Sequence, residues 1–312
     1  MDKMDIDTDD AASTDSVDSS FYGDADTVSA LDQRVRAFDV EDWAAQQGTK
    51  PSWPQQRPKL NEMASHLHNP YAGVPYAWQL TETLDDFLAR LPAATTDQTP
   101  DVPWIFICNP FVPRVPKNKG AAQTCKGNEN EGPEEEGSRL SVVIDGGVER
   151  LELLNTFTNQ IASFGKPASV VEREVNKERA QASKDILQLA HAAKVRAGKW
   201  LLFAPATEIH ELWEIVAKAT ANNELGIAAK VLPRQENEDP RKDRLICVYT
   251  ADFMDKADVG RVLQRLRELR LVEARSKRIY YKPDAFTYLG IASGNTWGIK
   301  PSIYSSAEVF AS

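Results

Sequence analysis

Histidine and cysteine are scarce in this sequence, at four and three of 312 residues. Cys108, Cys125 and Cys247 are widely spaced and form no Cys-x-x-Cys pair. An odd, scattered set of thiols makes neither a disulfide framework nor a structural zinc site, and it predicts a reducing intracellular compartment, cytoplasm or nucleus. Long apolar runs are missing too. No stretch approaches the roughly 20 residues that span a bilayer, and MDKMDIDTDD has neither the basic nor the apolar segment of a signal peptide. No membrane partner is expected.

The usual catalytic signatures are also missing. There is no Gly-x-Ser-x-Gly elbow, no Gly-x-Gly-x-x-Gly after a strand and no Gly-Lys-Ser/Thr phosphate loop. In His210-Glu211-Leu212-Trp213-Glu214 a zinc protease would need a second imidazole where Glu214 stands. His66-x-His68 has no cysteine or carboxylate cluster beside it. Neither cofactor nor metal is expected, and the chain is expected not to be an enzyme.

Charge is unevenly placed. Residues 1–30 hold nine aspartates against one lysine, −8 of the total −9, so the remainder sits at −1. Residues 1–28 bury too little to offset ordering entropy and are predicted to be a disordered acidic tail, either a solvating segment or an interaction arm. Residues 29–312 are then expected to form one domain. Within it 113–138 is low in complexity, and nothing there suggests a core, so a mobile insertion is predicted with Glu134, Glu135 and Glu136 solvated. Leu140–Ile144 is β-prone and precedes Asp145-Gly146-Gly147, which reads as a turn before an amphipathic helix from Val148.

From Gly198 to Ile291 the periodicity is most legible. GKWLLFA is a strand, and Ile209, Leu212, Trp213 and Val216 then recur at helical spacing, with Thr207 placed to cap that helix. LGIAAKV and RLICVYT are strands, Val259, Val262, Leu263 and Leu266 form a helical stripe, and Arg278–Lys282 alternates as a strand. Strand, helix, strand, strand, helix, strand closes as an α+β fold, an antiparallel sheet with helices packed on one side. Trp200, Trp213 and Cys247 are placed in its core. An RNA-recognition motif has the same order, but RLICVYT lacks that module's aromatic pattern.

GKWLLF, the tryptophan-bearing helix, GIAAKV and YKPDAFTYLGI followed by NTWGIKPSIYSS resemble the basophilic-leukaemia-expressed protein family. The resemblance covers roughly Trp78 to Ser306. It implies a fold similar to the cap-binding translation initiation factor of the 4E type, a curved antiparallel sheet backed by helices. Cap binding does not follow from fold alone, because none of the seven tryptophans sits in a motif matching that site.

Above this background stands a basic, aromatic C-terminal section. Residues 259–300 carry nine Lys or Arg against Glu268, Glu273 and Asp284. Alternation puts Arg278, Tyr280 and Lys282 on one strand face, and Lys230 opposite the apolar face of its own strand. Cations interleaved with aromatic rings can pair phosphates and stack bases. The expected site is Lys230, Arg275, Lys277, Arg278, Tyr280 and Lys282, with Trp297, Lys300 and Tyr304 nearby, for RNA or a nucleotide. Two readings stay open beside it: a protein–protein adaptor working through a helical face and the acidic tail, and a merely solvated basic surface.

Overall fold

The computed structural model describes residues 25–37, 67–116, 130–236, 238–239, 241–272 and 278–309. Helix α1 (Ala25–Arg36) lies in a first unit that ends at Ala64 and is described by itself. The second unit, Ser65–Ser312, contains everything that follows.

Its centre is a six-stranded antiparallel sheet. Strands β1 (Ile105–Cys108), β2 (Gly198–Ala204), β3 (Ala228–Val231), β4 (Arg244–Thr250), β5 (Tyr280–Pro283) and β6 (Tyr304–Ser305) lie in the order β1-β3-β4-β2-β5-β6. One face is largely apolar, with Thr250 and Arg244 of β4 its polar members. Ile105, Ile107, Ala229, Val231, Ile246, Val248, Trp200, Leu202 and Tyr281 alternate onto it, all buried. Helix α5 (Ile209–Ala221) packs on β1, β3 and β4, and α6 (Lys256–Glu268) packs on β4. The indole of Trp200 reaches α6 and donates to the Val259 carbonyl at 3.1 Å. Tyr281 meets Trp200 edge-on, at 5.3 Å between ring centres, and bonds Thr250 at 2.5 Å. Gly198 leaves room for the Tyr281 phenol, because a β-carbon there would lie 2.5 Å from its oxygen.

Capping fixes several helix starts. Thr83 accepts from the Asp86 amide at 3.1 Å to open α2 (Leu84–Arg90). Asp255 accepts from the Ala257 and Asp258 amides, each at 3.1 Å, to open α6. Thr207 does not cap α5; Glu208 precedes its first residue and no side chain caps it.

The stretch predicted as strand and turn at 140–147 is instead the first two turns of α3 (Leu140–Ser163). Its two glycines provide clearance, not a bend. A β-carbon on Gly147 would come within 2.5 Å of Leu289, and one on Gly146 within 2.7 Å of Leu189. Helix α4 (Ala168–Ala192) runs with α3, and Leu151, Leu154, Ala182 and Ile186 bury against Phe286, Leu289, Ile291 and Ile299. Arg150 of α3 ties the pair by bonding Glu178 at 2.6 Å and Asp185 at 2.8 Å. Phe286 belongs to the short helix α7 (Asp284–Tyr288), which follows β5 directly. Gly147→Ala is therefore expected to destabilise by about 1–2 kcal/mol in urea unfolding, because overpacking against Leu289 outweighs the ~1 kcal/mol gain in helix propensity. A variant more stable than the native chain would contradict the clearance role.

Ser306–Val309 forms the last helix, α8. Among the described residues no helix is long and apolar enough to cross a membrane.

Candidate ligand-binding face of the sheet

The other sheet face is mixed in chemistry, and the strand register arranges it in rows. Phe106, Lys230, Cys247, Leu201 and Tyr280 form one row across β1, β3, β4, β2 and β5. Cys108, Ala228, Tyr249, Lys199 and Lys282 form the next, and Leu245 faces Phe203 beyond them. Three lysines thus point from one face of a sheet whose other face is sealed.

Two of them are buried by a chain segment whose composition points to solvent instead. Residues 130–135 lie over the rows, and Glu131 is only 6% exposed. Its carboxylate accepts from Lys199, from Lys230 at 3.2 Å and from the Tyr249 hydroxyl at 3.0 Å. Lys199 also donates to Asp284 at 2.8 Å and to Thr287 at 3.1 Å. The Lys230 ammonium donates to the Asn130 carbonyl and stands 3.9 Å from the centre of the Trp104 ring. Gly132 lies flat on Tyr249, where a β-carbon would meet the ring at 2.7 Å.

The four charges do not share this burial equally. Burial opposes ionisation of Glu131, but the charges of Lys199 and Lys230 and the bonds from Lys199 and Tyr249 outweigh it and hold the carboxyl at about 2. Burial raises the Asp284 carboxyl against the pull of Lys199. Burial would lower Lys199, yet Asp284 and Glu131 hold it above the ordinary lysine value. Lys230 is lowered by burial, which Glu131 only partly offsets. Glu131 is the hub of the group. Cys247, beneath it, is pushed up to about 11 by burial and is a core thiol, not a nucleophile.

The expected site residues are dispersed by this arrangement. Lys230 is fully buried and committed to Glu131, so it is no part of an accessible surface. Tyr304 pairs with Tyr281 and so belongs to the apolar side, where its hydroxyl donates to the Phe253 carbonyl at 3.0 Å. Trp297 packs against the α3–α4 core, and its carbonyl accepts from Arg179 at 2.8 Å. Lys300 is exposed in the same loop. Arg275 and Lys277 lie outside the described residues. Arg278 is exposed but precedes β5, which begins at Tyr280. Tyr280 and Lys282 do share one face, as their alternation requires, with Tyr281 on the other.

The predicted insertion at 113–138 is also corrected at both ends. Val115 bonds the Glu134 carbonyl at 3.1 Å, Glu131, Gly132 and Pro133 are buried, and Glu135 pairs with Arg196. Residues 117–129 lie outside the described part.

What remains open on this face is an aromatic and basic strip. Phe203 is 47% exposed and Tyr280 44%. They are diagonal neighbours on β2 and β5, a relation that sets residues about 7–8 Å apart. Lys282 stands beside them, half-buried, with no hydrogen-bond or ion-pair partner among the described residues. Burial and the nearby Lys199 both lower it, against Glu131 and Asp284.

The family model described as basophilic leukemia-expressed protein Bles03 matches residues 31–290. Among solved structures, Ascaris suum eIF4E-3 with m2,2,7G cap is 19% identical, over 35% of this chain and 58% of that one, with a TM-score of 0.26. A schistosome eIF4E complexed with m7GpppA and 4E-BP is 16% identical, over 36% of this chain and 60% of that one, with a TM-score of 0.28. The matched region spans less than two thirds of either chain, and overlaps this partial fix no residue-by-residue correspondence.

Proposed function

The chain belongs to the Bles03 family, and we propose that it is a non-enzymatic binding protein whose open sheet strip takes single-stranded RNA or a nucleotide. The observation that carries this reading is Lys282. Its ammonium is half-buried and unpaired among the described residues, next to the exposed ring of Tyr280. A partly desolvated cation gains most from an anion that arrives with its own apolar surface, and a nucleotide brings both. The interior charges support binding over catalysis: Lys199, Glu131 and Lys230 are buried and committed to one another.

Fluorescence anisotropy with a short single-stranded RNA and with a capped dinucleotide tests this. Tyr280→Ala is expected to weaken binding roughly 5- to 150-fold, the ~1–3 kcal/mol of one stacked base. Lys282→Glu is expected to weaken it further at low salt and to flatten the salt dependence, since one phosphate contact releases about one counterion. No binding at low salt, or folded variants that bind like the native chain, would leave the strip an ordinary surface. A stoichiometric protein partner copurifying free of nucleic acid would favour the adaptor reading instead.

A further inference from the structure

A second place holds a cation without a partner among the described residues, and none of the strip's residues lines it. A pocket opens where the chain enters β2, lined by Arg114, Lys194 and Arg196 together with Ser138, Leu140 and Tyr288. The acids that border it are Glu134, Glu135 and Asp284. Asp284 is held by Lys199, and Glu135 by a two-point bond from Arg196. Arg196 also approaches Asp252 at 3.8 Å, so its guanidinium is held from two sides.

Arg114 has no such support. Its Nε is buried and unpartnered, and its guanidinium has neither an ion pair nor a hydrogen bond among the described residues. Burial draws its pKa down against the pull of Glu135, and Arg196 adds a smaller push in the same direction as burial. Lys194 is held at φ +59 at the end of α4, with a 3.3 Å contact to the Glu136 carbonyl. The start of α3 borders the same pocket. No side chain caps that helix and no acid sits in its first turn, so its amide groups add partial positive charge.

We propose that the pocket between Arg114, Lys194 and Arg196 binds a small oxyanion of the phosphate class. A desolvated guanidinium left unpaired is costly in the empty protein, and an oxyanion satisfies its fork in a way water does only partly. Inorganic phosphate and the phosphomonoester end of a nucleotide share this chemistry. The site does not depend on Tyr280 or Lys282.

The test uses the full chain, titrated with inorganic phosphate or with AMP while chloride keeps ionic strength constant, and read by calorimetry and thermal melting. Phosphate is expected to bind saturably and raise the melting temperature above the chloride control. Arg114→Gln is expected to weaken phosphate at least about tenfold, the loss of one charge-assisted contact, and to melt no lower than the native chain in chloride. Lys194→Asn, which suits the positive φ, gives a second reading should the first variant fold poorly, and a several-fold loss is expected. Competition between AMP and phosphate identifies the monoester as a source, and AMP that leaves bound phosphate in place identifies the free ion. Phosphate that shifts nothing beyond chloride, or both variants binding phosphate like the native chain, overturns the site. AMP binding lost with Tyr280→Ala and kept with Arg114→Gln, without phosphate binding, overturns this pocket and leaves the sheet strip standing.

Discussion

Glu131→Gln is expected to lower the unfolding free energy by about 3–5 kcal/mol, the usual cost of removing one partner from a buried ion pair. The side chain is nearly isosteric and keeps one oxygen for the Tyr249 hydroxyl, so packing and that hydrogen bond change little. What changes is charge. Lys199 and Lys230 have side chains 4% and 2% exposed, and only Asp284 would remain to balance them. Asp284 bonds Lys199 and not Lys230, leaving the latter with a carbonyl and three aromatic rings. For a domain of this size the change corresponds to a melting temperature lower by about 10 °C. Adding Lys230→Met to Glu131→Gln should restore part of the loss, since it removes the ammonium left without a partner. Guanidinium unfolding of the native chain and both variants settles the matter. A Glu131→Gln cost under about 1 kcal/mol, or no recovery in the double variant, would mean the hub is hydrated and the segment over the sheet is loosely held.

Little of this hub was legible in the sequence. Glu131 sits in GNENEGPEEEG, where composition points to solvent and no local spacing marks one glutamate as different. The lysines carried a better signal. Lys199 and Lys230 each lie in a short strand among apolar neighbours, and the pattern puts them opposite an apolar face. For Lys230, read from the sequence as part of an accessible site, the face was right and the exposure was not. The other side of a sheet is open only if nothing folds over it, and coverage by residues 68–99 positions distant in sequence leaves no periodicity behind. Tyr304 shows the same limit, because its face follows from pairing with Tyr281 and not from its own loop. Tyr280 and Lys282 needed only the two-residue repeat of a strand, and there the reading from sequence holds.

The fold divides along the same line. The order of elements from Gly198 to β5 depends on local periods and matches, including the buried Trp200 and Trp213. Gly146-Gly147 misled because glycine has two uses, conformational freedom and small size. Only the neighbouring Leu189 and Leu289 show that size is what matters here. Asp284 opens α7 directly after Pro283, and only the folded chain shows that this acid faces Lys199.

Acid titration should separate the two buried carboxylates by the sign of their effects. Glu131 is depressed from 4.5 to about 2 in the folded chain, so its stabilising contribution is complete above pH 4.5 and is lost as pH falls towards 2. That shift is worth about 3 kcal/mol. Asp284 behaves oppositely. Its folded value is raised above 3.8, so the native state gives up stability as pH rises from 3.8 through the folded value and regains it on the way back down. The difference between the native chain and Asp284→Asn should therefore shift in favour of the native chain as pH falls from 7 towards 4. The difference between the native chain and Glu131→Gln should shift against the native chain below pH 4.5. Subtracting each variant from the native chain removes the surface carboxylates common to all three, such as Glu82 and Glu135, whose own depressed values make every form less stable in acid. Unfolding curves in urea at intervals between pH 7 and pH 2.5 give both differences. If the two move in the same direction, Glu131 and Asp284 share the lysine charge equally and Glu131 has no special place over the sheet.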